Sequence, residues 1–231
     1  MSATSQQPPK IKICGIFREE DVSVLNETLP DYAGFVFAEK SHRYVTPEQA
    51  CVLRSIIDPR IITVGVFVDA DPGFIAELAR KGTIGAVQLH GHEDAAYVDT
   101  LRKKLPDTTI LKAVSISNTD NTKGSVPLVS PGCSVDILLF DNGAGGTGET
   151  FDHRVIRDAA ANGALPDTPF FLAGGLDAEN ITEVLAQMRD LAAFAASTRF
   201  FGVDVSSGVE TNRVKDSGKI KKFVKAVRQA E

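Results

Sequence analysis

Two short turns in this chain are suited to hold an anion. Ser206-Ser207-Gly208 closes the apolar run Phe200 to Val205, and Gly174-Gly175 closes Pro169 to Ala173 one unit earlier. Turns of small residues direct several backbone N–H groups at one point, and with a short helical stretch behind them they can hold a phosphate without a lysine. Other polar residues end apolar runs and could act on what the phosphate carries. Cys14 ends Lys10-Ile-Lys-Ile-Cys14, on the face it shares with Lys12, while Asp141 follows Val135 to Phe140 on the face of Ile137 and Leu139. Strand alternation lets both side chains point to one interior. Cys14 reads either as a small buried apolar residue or as a general base; the second needs a positive neighbour to lower a thiol pKa of about 8.5. Asp141 reads either as a cap or loop ion pair, or as a proton donor whose pKa desolvation raises. Arg43, in the polar loop Lys40 to Tyr44, is either a solvated cation or a bidentate grip on a carboxylate. Asp69, His90, Asn142 and Asp204 complete the polar residues at such ends.

Other patterns carry less. Gly143-Ala-Gly-Gly-Thr-Gly148 matches G-x-G-x-x-G between a strand and a helix. However, the next strand ends in Gly174 rather than an acid for a ribose hydroxyl, so a loop folding over a ligand is the better reading than a dinucleotide site. His90-Gly-His92 lacks a third ligand at sensible spacing, and no metal is expected. Cys51 in a predicted helix and Cys133 in a loop read as structural.

The elements that must position these residues alternate along the chain. Strands are predicted at Lys10–Cys14, Ala33–Phe37, Ile61–Val68, Gly85–Leu89, Ile110–Val114, Val135–Phe140, Pro169–Ala173 and Phe200–Val205. Helices are predicted at Arg18–Asn26, after Thr46-Pro47, after Asp71-Pro72, and at Glu93–Leu105, Phe151–Ala161, Ala178–Arg189 and Asp216–Arg228. Residues 115–132, rich in Ser, Asn, Gly and Pro, read as a long loop. Apolar strands alternating with helices imply a parallel sheet covered by helices, and eight units fit a single-domain (β/α)₈ TIM barrel better than an open doubly wound sheet. The expected organisation is a disordered lead-in over 1–9 and one barrel domain over 10–231. In such a barrel the site lies at the C-terminal strand ends, where all the polar candidates fall.

Composition sets the bounds. At 231 residues the chain suits one α/β barrel, and a net charge of -5 with scattered basic residues gives no reason to expect nucleic acid or a membrane surface. No apolar run approaches a bilayer span and the first residues lack the core of a secretion signal. Three cysteines at unrelated spacings form no disulfide framework, which points to a reducing cytoplasm. Helix faces that might pair are indistinguishable from solvated ones, leaving monomer and homodimer both open.

Taken together the motifs resemble a known family. Lys12-Ile-Cys-Gly15, Ser41-His-Arg-Tyr44, Val64-Gly-Val-Phe-Val68, Val87-Gln-Leu-His-Gly91, Leu139-Phe-Asp-Asn142, Gly145-Gly-Thr-Gly148, Leu172-Ala-Gly-Gly-Leu176 and Gly202-Val-Asp-Val-Ser-Ser-Gly-Val-Glu-Thr211 through Val214-Lys-Asp216 resemble phosphoribosylanthranilate isomerases of tryptophan biosynthesis. The resemblance implies a cofactor-free and metal-free barrel carrying out an Amadori rearrangement of a phosphorylated sugar. It implies Asp141 as general acid, Cys14 as general base and Arg43 on the anthranilate carboxylate. Gly174, Gly175, Ser206, Ser207 and Gly208 would form the phosphate cup, with Asp204 a supporting polar residue. Three departures stand out. The family's Ser-Pro-Arg is Ser41-His42-Arg43, which removes a proline restraint on Arg43; the Thr after Cys-Gly is Phe17; and the Gly before Val-Lys-Asp is Arg213. A dual-substrate isomerase that also takes the histidine-pathway aminoaldose and a non-catalytic phosphate-binding barrel are the alternatives. A dedicated histidine-pathway isomerase would generally have Asp where Cys14 stands, and a nicotinamide oxidoreductase has only Gly143 to Gly148 in its favour.

Overall fold

The computed structural model describes residues 8–115, 134–141, 167–194 and 199–230, together with residues 156, 159 and 165. Eight parallel strands close into a barrel in chain order: β1 (Lys10–Cys14), β2 (Tyr32–Val36), β3 (Ile62–Phe67), β4 (Ala86–Leu89), β5 (Thr109–Ser115), β6 (Ile137–Asp141), β7 (Phe170–Leu172) and β8 (Phe200–Val205), with β8 pairing back to β1. The described helices are α1 (Glu19–Thr28), α2 (Pro47–Ile56), α3 (Pro72–Arg80), α4 (Ala95–Lys104), α5 (Ile181–Phe194) and α6 (Ser217–Gln229). None of them is long and apolar enough to cross a membrane. Of the expected helix over 151–161 only Ile156 and Ala159 are described, both helical, and Ser115, expected to open the loop over 115–132, is instead the last residue of β5. Residues 1–7 of the lead-in expected over 1–9, residues 116–132, Cys133, Asn142 and Gly143 to Gly148 lie outside the described residues.

Local chemistry explains the helix boundaries. Thr46 caps α2 in a reciprocal box with Gln49, and Pro47 fills the first helical position, where no N–H is needed. Asp71 caps α3 and Asp216 caps α6. Two helix starts lie two or more residues beyond the sequence expectation. α4 starts after Asp94, its cap, because the Glu93 carboxylate instead accepts the Asp69 and Gly91 amides and the Lys112 ammonium. α5 starts at Ile181 because Asp177 and Asn180 bond to each other's amides and hold the intervening residues in a turn. In α6, Ile220, Phe223, Val224 and Val227 are buried at the i, i+3, i+4, i+7 spacing that gives a helix one apolar stripe.

Alternation along the strands divides the core in two. Outward residues such as Ile11, Ile13, Phe35, Leu138 and Phe140 pack against helices, while Tyr32, Val64, Ala86, Leu111, Ile137, Leu139, Phe171 and Ala173 fill the barrel. An irregularity in the β7–β8 ladder pairs Phe170 with Phe200 but Phe171 with Gly202. The skipped residue, Phe201, packs inward against the Phe171 and Tyr32 rings. A one-residue bulge reverses the facing of everything beyond it. Val203 and Val205 therefore join the outer core, and Asp204 turns inward opposite Lys12 of β1.

Candidate active site

The carboxyl ends of the strands surround a cavity of about 260 Å³, lined by Cys14, Arg43, Gln88, His90, Asp141, Gly174, Gly175, Asp204, Ser206, Ser207 and Gly208 among others. Every residue of the expected acid–base pair, carboxylate grip and phosphate cup therefore borders one space, and so do His90 and Asp204. Asp69 does not: it takes up a left-handed backbone after β3 and bonds the amide and ring of His92. His92 is thereby engaged away from His90, so the two histidines do not act as a pair. Cys51 is an exposed free thiol on α2 rather than a packing residue.

Cys14 stands at the end of β1, where its partner on β2 is Gly34. A Cβ on Gly34 would lie 2.8 Å from the thiol sulfur, so the absence of a side chain there makes room for Cys14. Below it, Lys12 is wholly enclosed and its Nζ lies 3.0 Å from Asp204 Oδ2. Burial disfavours that ammonium, yet attraction to Asp204 and Cys14 leaves its pKa above the ordinary lysine value. Burial pushes the Cys14 thiol up, against the pull of Lys12 and Lys215. The positive neighbour that a basic thiol requires is thus present but outweighed by desolvation. Lys12, with no role assigned from sequence, was hidden by its apolar strand; the signal was a charge two residues before a strand-end cysteine.

On the far wall, His90 Nε2 lies 3.7 Å from Asp141 Oδ2, and its Nδ1 lies 3.0 Å from Gln88 Nε2. An amide nitrogen can only donate, so Nδ1 accepts and Nε2 carries the ring hydrogen facing the carboxylate. Burial holds the imidazole below its ordinary pKa, with Asp141 opposing, which keeps the ring neutral. Gln88 Oε1 and Asp204 Oδ1 are buried without a hydrogen-bond partner among the described residues.

The two small-residue turns meet at the third wall. Gly174 and Gly175 have φ of 89° and 65°, a region open to glycine. A Cβ on Gly208 would fall 1.9 Å from the Leu176 carbonyl oxygen, so the turns after β7 and β8 touch only because that residue is glycine. Ser206 Oγ donates to the Cys14 carbonyl at 3.1 Å, tying this turn to β1. The helical stretch expected behind Ser206 is a single 3₁₀ turn over Ser207–Val209. It is too short for a macrodipole, leaving the turn amides as the local positive element.

Arg43 reaches the rim from the loop after β2. It makes a fork with Glu210, Nε to Oε1 at 2.7 Å and Nη2 to Oε2 at 2.9 Å. A Cβ on Gly15 would lie 2.3 Å from Arg43 Cδ, so the arginine stem lies across that glycine. Without the family's proline, the loop is held by Ser41, whose Oγ accepts the Arg43 amide and whose carbonyl accepts that of Tyr44. Glu210 and its second partner Lys215, 2.7 Å away, had no place in the sequence reading.

Comparison with known proteins identifies the relatives of this chain. The family model for "N-(5'phosphoribosyl)anthranilate (PRA) isomerase" matches residues 11–226. An N-(5'-phosphoribosyl)anthranilate isomerase of Endomicrobium trichonymphae is 39% identical over 95% of this chain and 98% of its own. A Thermus thermophilus phosphoribosyl anthranilate isomerase structure superposes with a TM-score of 0.77 at 27% identity, covering 96% of this chain and 100% of that one. Another, solved with reduced 1-(o-carboxyphenylamino)-1-deoxyribulose 5-phosphate, gives 0.71 at 31% identity and covers 96% and 99%. A matching family model across nearly the whole barrel, together with these relatives, shows that the chain belongs to the N-(5'-phosphoribosyl)anthranilate isomerase family.

Proposed function

We propose that the cavity isomerises N-(5-phosphoribosyl)anthranilate to 1-(2-carboxyphenylamino)-1-deoxyribulose 5-phosphate in tryptophan biosynthesis, with Asp141 as general acid and Cys14 as general base. The observation that carries this reading is that a carboxyl from β6 and a thiol from β1 border the same space as the glycine and serine turns. Asp141 gives its proton to the ribose ring oxygen as the C1′–O4′ bond breaks and the anthranilate nitrogen forms a protonated imine. Cys14, as thiolate, removes the C2′ proton; the electron pair forms C1′=C2′ and returns the imine electrons to nitrogen, giving an enolamine. Loss of the C2′ hydroxyl proton and protonation at C1′ complete the ketone. Asp141 becomes an anion in the first step, and the His90 Nε2–H facing it stabilises that charge.

The remaining residues hold the substrate. Backbone amides of Gly174, Gly175, Ser206, Ser207 and Gly208 receive the phosphate, and the edge of Arg43 not bonded to Glu210 meets the anthranilate carboxylate. Asp204 Oδ1 and Gln88 Oε1, which lack partners among the described residues, suit ribose hydroxyls. A cytoplasmic setting follows from a catalytic thiol that must stay reduced.

The test is loss of anthranilate-derivative fluorescence with purified protein, run beside the histidine-pathway aminoaldose. Turnover of the first substrate alone is expected. Cys14→Ser and Asp141→Asn should each lower turnover by at least ~100-fold, as expected for loss of an acid or base, with little change in ligand affinity. Near-normal turnover in both variants would leave the barrel as a phosphate-binding module.

A further inference from the structure

Glu210 and Arg43 are 167 residues apart in the chain, yet the carboxylate covers one edge of the guanidinium with two short bonds. Several contacts fix Glu210 at both its carboxylate and its backbone. Its Oε1 also takes Lys215 Nζ, and the Glu210 carbonyl accepts Lys219 Nζ at 2.6 Å. Glu210 and Lys215 are ladder partners in a small hairpin formed by β9 (Glu210–Thr211) and β10 (Val214–Lys215). Lys215 Nζ further reaches the Ser206 carbonyl at 3.0 Å, and Ser206 bonds to the Cys14 carbonyl. The same few residues therefore join the arginine, the turn after β8 and the end of β1.

We propose that Glu210 is a positioning residue that sets specificity for a carboxylated substrate: it fixes one edge of Arg43 so that the other meets the ligand's carboxylate, in register with the phosphate turn. This rests on the reading that Arg43 binds that carboxylate. A planar guanidinium held by a fork on one side and lying over Gly15 has lost the rotamer freedom that would otherwise oppose ligand binding. The opposite role, an internal competitor that must release Arg43, fits the contacts poorly. Glu210 is buried and engaged by Lys215, with His42 Nε2 3.8 Å from its Oε2, so it cannot swing aside without stranding a buried ammonium. Arg43 and Lys215 together also outnumber Glu210 by one positive charge, leaving net attraction for an anion.

Two unreactive probes separate these roles in calorimetric titration: reduced 1-(2-carboxyphenylamino)-1-deoxyribulose 5-phosphate and the same compound without the ring carboxylate. The quantity read is the ratio of their affinities, which general loosening of the fold would not move selectively. Glu210→Gln should cut the preference for the carboxylated probe about tenfold, the scale of one charge-assisted contact. Glu210→Asp keeps a counter-charge for Lys215 while withdrawing the carboxylate from Arg43; it should move the ratio the same way and serves if the first variant fails to fold. Arg43→Ala is the reference. A ratio lost in Arg43→Ala but kept or increased in the Glu210 variants overturns the positioning role alone. A ratio untouched by Arg43→Ala overturns the carboxylate grip and the positioning role together.

Discussion

Lys12 and Asp204 stand opposite each other in the β1–β8 ladder, and their charged groups meet at 3.0 Å inside the barrel beneath Cys14. Neither charge is stable there alone. Lys12 has no exposed surface, and Asp204 can face it only because the bulge at Phe201 turns β8 by one residue. Removing one member of a buried pair leaves the other uncompensated. Lys12→Met is therefore expected to lower stability by about 3–5 kcal/mol in urea denaturation. Adding Asp204→Asn should recover most of that loss. A loss below about 1 kcal/mol in Lys12→Met would mean that solvent reaches the Asp204 charge.

The pH dependence of turnover follows from the thiol. Burial raises the Cys14 pKa, and the thiolate is the form that removes a proton. The acid limb of kcat/KM should then lie on the alkaline side of an ordinary thiol, with activity still rising as pH passes neutrality. Lys12 favours the thiolate and Asp204 opposes it, so Lys12→Met should move the limb further up and Asp204→Asn should move it down. A limb below pH 7, or shifts of the opposite sign, would remove Cys14 as the titrating base.

Acid stability should report Glu210. Burial works against its charge, but the bonds from Arg43 and Lys215 hold its pKa at about 2, against an ordinary value of 4.5. A depressed carboxylate contributes stability that is fully present above its unfolded pKa and is lost as pH falls through the folded value. The window here runs from about 4.5 down to about 2, and the contribution is on the order of 3 kcal/mol. Urea midpoints measured from pH 6 to 2 should show this loss, and Glu210→Gln should flatten it. An unchanged profile would place the acid-sensitive group elsewhere.

Arg213 occupies a position suited to glycine. The hairpin between β9 and β10 turns through Asn212 and Arg213 with φ of 51° and 65°. A two-residue turn with both residues in this region prefers Asn-Gly, and a side chain there costs roughly 1 kcal/mol. Arg213→Gly should raise stability by about 1 kcal/mol in thermal or urea unfolding. Since the hairpin carries Glu210 and Lys215, a destabilised variant would show that the arginine side chain compensates for its backbone.

The alternation of apolar strands with helices, and small residues or caps at their ends, is a local signal, and it sufficed for the barrel and for the facing of Cys14 and Asp141. Period-two alternation within β1 and β6 turns those side chains to the same interior as their apolar neighbours, so their common cavity was legible before any coordinates. Helix starts were legible where the cap was single, as at Thr46 and Asp216. They were misplaced where a competing side chain took the role, as Glu93 did with two loop amides and Asn180 with Asp177.

What only the tertiary structure decided is who faces whom across long separations. Glu210 lies 167 residues from Arg43, and Asp204 192 from Lys12, distances over which no periodicity carries information. The inward facing of Asp204 depends on a bulge that alternation alone would read the other way. The thiol's titration was equally beyond the sequence, because it depends on enclosure by residues from both ends of the chain. The sequence determined the barrel and which chemical groups stand at its mouth; closure of β8 onto β1 decided their charge partners, because opposite charges so far apart in the chain meet only when the first and last strands pair.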